Sequence, residues 1–335
     1  MKKLFIFVLM LCLCGCQKSE EQILAELGYT EENIQTILAL SDENKERFSM
    51  EFDEKLINLV SDSRFIEEKI EDYLHFEGKL DTDLMFDLVN RNMLTDTNLK
   101  KMVELYTSPY FVSRNEDLYL NSLDDYSTVR EMMEIINTKR YLPLYENIVT
   151  TDVKDDYLLL VNKYYQLPSD YEPEDLVYIT GAYRPVQIRE EVASHYEKLL
   201  SDALANGYDL RVVSAYRSYS YQDGLYNKYL LSDTKENVDT YSARPGHSEH
   251  QSGLCLDVTI PGYSIDDFYK TEASKWLAEN CYKYGFIIRY ENGKENITGY
   301  QAEPWQIRYV GDKAAKEIKD MKITFDEYWE CFVRN

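Results

Sequence analysis

Two histidines and a carboxylate lie close together in the run His247-Ser248-Glu249-His250-Gln251-Ser252-Gly253-Leu254-Cys255-Leu256-Asp257, in a chain with only four histidines. After Gly253 the apolar residues Leu254, Leu256, Val258 and Ile260 alternate with Cys255, Asp257 and Thr259. That period of two predicts a strand from whose far side Asp257 projects, away from the aliphatic row. His250 then belongs to the loop leading into the strand. An imidazole on a loop and a carboxylate on the adjoining strand can converge on one cation, and nitrogen plus oxygen donors suit zinc. Alone, the pair equally fits a surface histidine and a turn aspartate.

Two further stretches change that balance. The pattern S-x-H-x-x-G-x-x-x-D at 248–257 is accompanied by Ser214-Ala215-Tyr216-Arg217-Ser218 and by Glu303-Pro304-Trp305-Gln306-Ile307-Arg308-Tyr309-Val310-Gly311. Together they resemble the VanY-type D-alanyl-D-alanine carboxypeptidases of the LAS metallopeptidase group, over about Leu176 to Gly311. The resemblance implies a zinc peptidase in which His250 and Asp257 are ligands and Glu303 is the general base. It also implies that Arg217 steadies the developing oxyanion, while Gln222 and Ser248 hold the substrate's terminal carboxylate and backbone. The implied substrate is the D-alanine end of a peptidoglycan stem peptide. Pro304 biases Glu303 toward an extended backbone.

One position departs from the family. Its segment reads Glu-Pro-Trp-His, and that histidine is the third zinc ligand; here Gln306 stands in its place. An amide oxygen is a poorer donor to zinc than imidazole nitrogen, so zinc should bind weakly. Three outcomes are open: a working enzyme with Gln306 or water as ligand, an enzyme using another divalent metal, or a silent protein that binds peptide ends. His247 would have to fold back beside His250 to replace the missing ligand. Cys255 is a lesser departure, since the family commonly has alanine there.

Elements must position these groups. Ile188, Val192, Tyr196, Leu199 and Ala203 predict a helix over 187–205 that Gly207 ends. Leu210 to Val213 reads as a strand delivering Ser214–Ser218 into a loop. Ser220 with Asp223 resembles a capping box for a helix carrying Leu225, Tyr226, Tyr229 and Leu230. Thr271–Tyr284 reads as a helix, and Phe286–Tyr290 and Trp305–Val310 as strands. The run Tyr157–Pro168 begins with strand character. The expected fold class is α+β, a small, largely antiparallel sheet flanked by helices, as in LAS and hedgehog-like domains, over 151–335. Before it, 17–150 reads as an all-helical spacer or interaction domain. Helical spacing there includes Ile23, Leu24, Leu27; Ile34, Ile37, Leu38; and Leu84, Phe86, Leu88, Val89. His75 reads as a packing or surface residue.

The chain of 335 residues carries 37 basic against 60 acidic residues, a formal charge of -23. Such a surface repels polyphosphate, which argues against nucleic acid as a partner. Lys2 and Lys3 precede the apolar run Leu4–Leu13, the layout of a secretory signal over 1–16. The closing Leu13-Cys14-Gly15-Cys16 resembles a bacterial lipobox and implies lipidation at Cys16, hence a membrane anchor on the extracytoplasmic face; cleavage and full secretion is the alternative. Cys255, Cys281 and Cys331 remain beyond the signal, too few and too irregular for a disulfide framework or a cysteine zinc site. The 30 tyrosines read as core and receive no site role.

Overall fold

The computed structural model describes residues 18–154 and 157–334. The expected signal segment and the lipidation site Cys16 therefore lie outside the described residues. The chain forms two compact units that divide between Tyr106 and Thr107.

The first unit is helical, with helices Glu20–Leu27, Glu31–Leu38, Glu54–Val60 and Thr82–Asn90 among its elements. Ser19, Thr30, Asp53 and Asp81 each cap one of these by accepting a backbone N–H of its first turn. The helices are too short to be stable alone, so their apolar stripes pack on each other: Leu24, Ile37, Phe48, Tyr73, Phe86 and Leu88 are buried. His75 is a surface residue paired with Asp96 at 2.5 Å.

The compact units divide at 106, whereas the sequence placed a domain boundary at 150. Helices Glu116–Ser122 and Val129–Asn137 fall in the second unit, and the second of them, with Arg114 just before the first, is tied to the C-terminal end. Arg114 donates to the Glu330 carboxylate at 2.8 Å, Arg130 pairs with Glu327, and Asn137 donates to Cys331 Sγ at 3.3 Å.

The sheet of the second unit has four antiparallel strands: β1 (Arg211–Ser214), β2 (Cys255–Thr259), β3 (Phe286–Tyr290) and β4 (Glu303–Tyr309), in the order β1-β2-β4-β3. Helices α1 (Glu190–Ala205) and α3 (Glu272–Asn280) pack on it, and α2 (Tyr219–Leu230) lies between them in sequence. The aliphatic row Leu254, Leu256 and Val258 joins Val192, Tyr196, Leu199, Leu277, Phe286 and Ile307 in one buried cluster. This bears out the alternation in β2, and with it the α+β architecture.

Three local expectations are corrected. The run 157–168 is irregular except for Tyr165–Gln166, which pairs in parallel with Val149–Thr150. The Asn162 side chain accepts the N–H groups of both Tyr164 and Tyr165, a local turn that competes with an extended ladder. Helix α1 starts only at Glu190, since Gln187–Arg189 is committed to an antiparallel pair with Leu176–Tyr178. The cap of α2 is Ser218, whose Oγ accepts the Tyr221 N–H at 3.2 Å, in place of Ser220.

Candidate active site

The central strand β2 puts Asp257 between two neighbours. Ser214 pairs with it from β1 and Gln306 from β4, so the three side chains form a row across one face of the sheet, opposite the buried aliphatics. Glu303 lies three residues before Gln306, a spacing that in a regular strand would place them on opposite faces. The β3–β4 ladder resolves this: between the pairs Ile288–Ile307 and Tyr290–Glu303, β4 carries residues 304–306 where β3 has Arg289 alone. This irregularity brings both side chains to the same cleft.

His250 sits in a short 3-10 turn, Glu249–Ser252, that ends at Gly253 in the left-handed region. A Cβ at Gly253 would come within 3.0 Å of the Arg189 side chain and 3.2 Å of Leu176, so glycine is needed there for space as well as for φ. The turn is stitched to the loop after β1. The His250 Nδ1 lies 2.6 Å from the Ala215 carbonyl, and the Arg217 N–H donates to the His250 carbonyl at 3.2 Å. With Nδ1–H donating, Nε2 is the nitrogen with a free lone pair; it has no hydrogen-bond partner and stands 3.2 Å from Asp257 Oδ2.

These groups share a cleft of about 360 Å³. All seven site residues expected from the sequence in this unit line it: Arg217, Gln222, Ser248, His250, Asp257, Glu303 and Gln306. Burial and the Asp257 carboxylate push Glu303 up to about 8. Burial would also raise Asp257, but His250, Arg217 and the Ser214 hydroxyl outweigh it and hold that carboxyl below its ordinary value.

Two buried, unpartnered ligand atoms, His250 Nε2 and Asp257 Oδ1, beside a second carboxylate are a donor set that fits a divalent cation. The Gln306 amide lines the same cleft from the strand paired with Asp257. Among the described residues no three His, Cys, Asp or Glu side chains converge as a metal site. His247 does not fill the gap, because its Nδ1 is bonded to the Asn162 carbonyl at 2.7 Å and its ring packs on Tyr145. Cys255 is buried outside the cleft lining.

Helix α2 presents Gln222, Leu225 and Tyr229 to the cleft along one face. Gln222 is buried, and its amide N–H donates to the Ala243 carbonyl at 2.7 Å, which leaves only Oε1 unpartnered. A free carbonyl oxygen accepts an N–H and repels a carboxylate. Of the carboxylate and backbone of a substrate end that the sequence offered to Gln222 and Ser248, this geometry leaves Gln222 an acceptor for a backbone N–H. Arg217 has a buried Nε, a charged donor with no hydrogen-bond partner among the described residues.

Comparison with known proteins agrees with this geometry. The family model of VanY D-alanyl-D-alanine carboxypeptidase matches residues 185–312. YodJ of Bacillus subtilis (strain 168), itself provisionally named a carboxypeptidase, is 40% identical over 194 residues, covering 55% of this chain and 71% of that protein. The chain belongs to the VanY D-alanyl-D-alanine carboxypeptidase family. The bifunctional D-Ala-D-Ala dipeptidase and carboxypeptidase VanXYC of Enterococcus gallinarum is 35% identical, over 51% of this chain and 92% of its own length. The solved structure of the LdcB LD-carboxypeptidase superposes with a TM-score of 0.51 at 39% identity, covering 54% of this chain and 94% of that one.

This VanY-family cleft also has walls that the sequence reading left unassigned. Tyr229, Tyr241, Tyr290, Tyr300 and Trp305 line it. Nothing in spacing separates them from core aromatics such as Tyr196. Beneath the cleft lies a buried charge network that was also missed. Glu249 Oε1 accepts from Arg289 Nε at 2.7 Å and pairs with Arg308 at 2.9 Å, and Arg289 reaches Asp326 at 2.6 Å. Glu249 precedes His250, so this network anchors the His250 turn to β3, β4 and the C-terminal segment. Removing one partner of a buried pair leaves charge uncompensated. Arg289→Met is expected to lower stability by about 3–5 kcal/mol, measured by urea unfolding; a loss within about 0.5 kcal/mol, as at an ordinary surface site, would contradict the anchoring role.

Proposed function

We propose that the protein is a metal-dependent carboxypeptidase that removes C-terminal D-alanine from peptidoglycan stem peptides, anchored through Cys16 at the outer face of the membrane. The observation that carries this reading is the meeting of His250 Nε2, Asp257 and Gln306 with Glu303 in one cleft. A divalent cation held by the first three would supply Lewis acidity and lower the pKa of water. Glu303, a carboxylate with its proton affinity raised toward neutrality, is suited to take a proton from water and deliver it to the leaving amine. Arg217 faces the cleft with a free donor for charge developing on the scissile carbonyl oxygen. Ser248 offers a hydroxyl to the terminal carboxylate, Gln222 accepts a substrate N–H, and the aromatic walls exclude water. The membrane address rests on the Lys2–Cys16 pattern and would put the enzyme on the side of the membrane where peptidoglycan lies.

Release of D-alanine from purified full-length protein tests the activity, using stem peptides that end in D-Ala-D-Ala or in a single D-Ala after an L-centre. Release from at least one of them with an added divalent cation, and none from the L-alanine-ended control, is the expected result. Peptide binding without release under any metal would overturn it and favour the silent peptide-binding protein, the reading to which Gln306 points.

A further inference from the structure

The inference drawn here rests on the carboxypeptidase reading of the same cleft and concerns the cation. His250 supplies the one imidazole among the residues lining the cleft, and no thiol lines it. Every other neutral or anionic donor there is oxygen: Asp257, Glu303, Glu249, Asp266, the glutamine amides and the hydroxyls. Gln306 is 4% exposed, and no hydrogen bond engages its amide among the described residues. Its place is set by backbone pairing, since direct cross-strand partners have Cβ atoms about 4.5–5.5 Å apart and share a face.

An amide carbonyl is a hard, neutral donor. Imidazole is the softer donor that suits zinc, whereas carboxylate and carbonyl oxygens suit manganese and magnesium. An amide donor beside the one imidazole therefore serves zinc less well than a second imidazole would, and costs a harder ion less. For any nitrogen and oxygen set zinc still precedes manganese in raw affinity, so the quantity that shifts is the ratio. We propose that Gln306 makes this an oxygen-weighted site, held with His250 and Asp257, whose preference for zinc is narrowed enough for a hard divalent cation of the Mn2+ class to occupy it.

Competition titration of the full chain with zinc and manganese chlorides tests this, comparing the parent, Gln306→His and His250→Ala. Outer-shell partners alone change metal affinity by about 10–100-fold, so restoring a direct imidazole should tighten zinc by at least about tenfold. Manganese should change much less, and the zinc-to-manganese ratio should widen by a similar factor. His250→Ala should weaken both cations. Equal tightening of both, no change in either, or no binding of either by the parent overturns the proposal. D-alanine release measured on the same loaded samples separates the two readings. Activity with zinc alone and an unaltered ratio overturns the metal assignment only; the expected ratio without release from any peptide overturns the carboxypeptidase reading only.

Discussion

Glu303→Gln is expected to lower kcat/KM for D-alanine release by about 10²–10⁴-fold, the range for a positioned general base, while the D-alanine-ended peptide still binds. The substitution keeps the shape of the side chain and its place in β4 but removes the proton acceptor. The pH profile gives an independent readout. Glu303 accepts a proton only when ionised, and burial beside Asp257 holds it up at about 8. On these residues alone the rate rises with pH toward 8 and levels above it. A cation beside the two carboxylates favours the ionised form and shifts that rise to lower pH. In Glu303→Gln the rise should vanish with the activity. A variant as active as the parent would remove Glu303 from the base role.

Arg217→Ala is expected to lower kcat by about 10²–10³-fold, as for loss of one oxyanion donor. KM should move much less, because the charge that Arg217 stabilises develops mainly in the transition state. The backbone N–H of Arg217, which donates to the His250 carbonyl, is retained in the variant, so the ligand turn should stay in place. Arg217→Lys restores the charge without the planar fork and should recover only part of the loss. A rise in KM at constant kcat would instead assign Arg217 to ground-state binding of the carboxylate.

The active face of the sheet was legible in the sequence because period-two alternation in 254–260 settles which side Asp257 takes, and the buried Leu254, Leu256 and Val258 agree with it. Strands β3 and β4 were also read from the sequence, as Phe286–Tyr290 and Trp305–Val310. The relation between Glu303 and Gln306 was not derivable from alternation, since it depends on a ladder irregularity that only the pairing with β3 reveals. The hydrogen bond that occupies the Gln222 amide N–H comes from a partner 21 residues away, the Ala243 carbonyl, which spacing does not reveal. The division of the compact units at 106 was not visible in the sequence for a similar reason. Arg114 and Arg130 look like ordinary charges on short helices until Glu330 and Glu327, some two hundred residues later, are seen to meet them. Buried tyrosines stayed ambiguous because one side chain type fills a core and lines a groove equally well.

The central claim is that His250, Asp257 and Gln306 share one cation with Glu303 at its side. Anomalous diffraction from crystals soaked in zinc or manganese, recorded at each metal's absorption edge, tests it most directly. The account predicts a single strong peak within about 2.0–2.2 Å of both His250 Nε2 and an Asp257 oxygen, with the Gln306 amide oxygen turned toward it. A peak at any other place, or an empty cleft with both metals in excess, would contradict it.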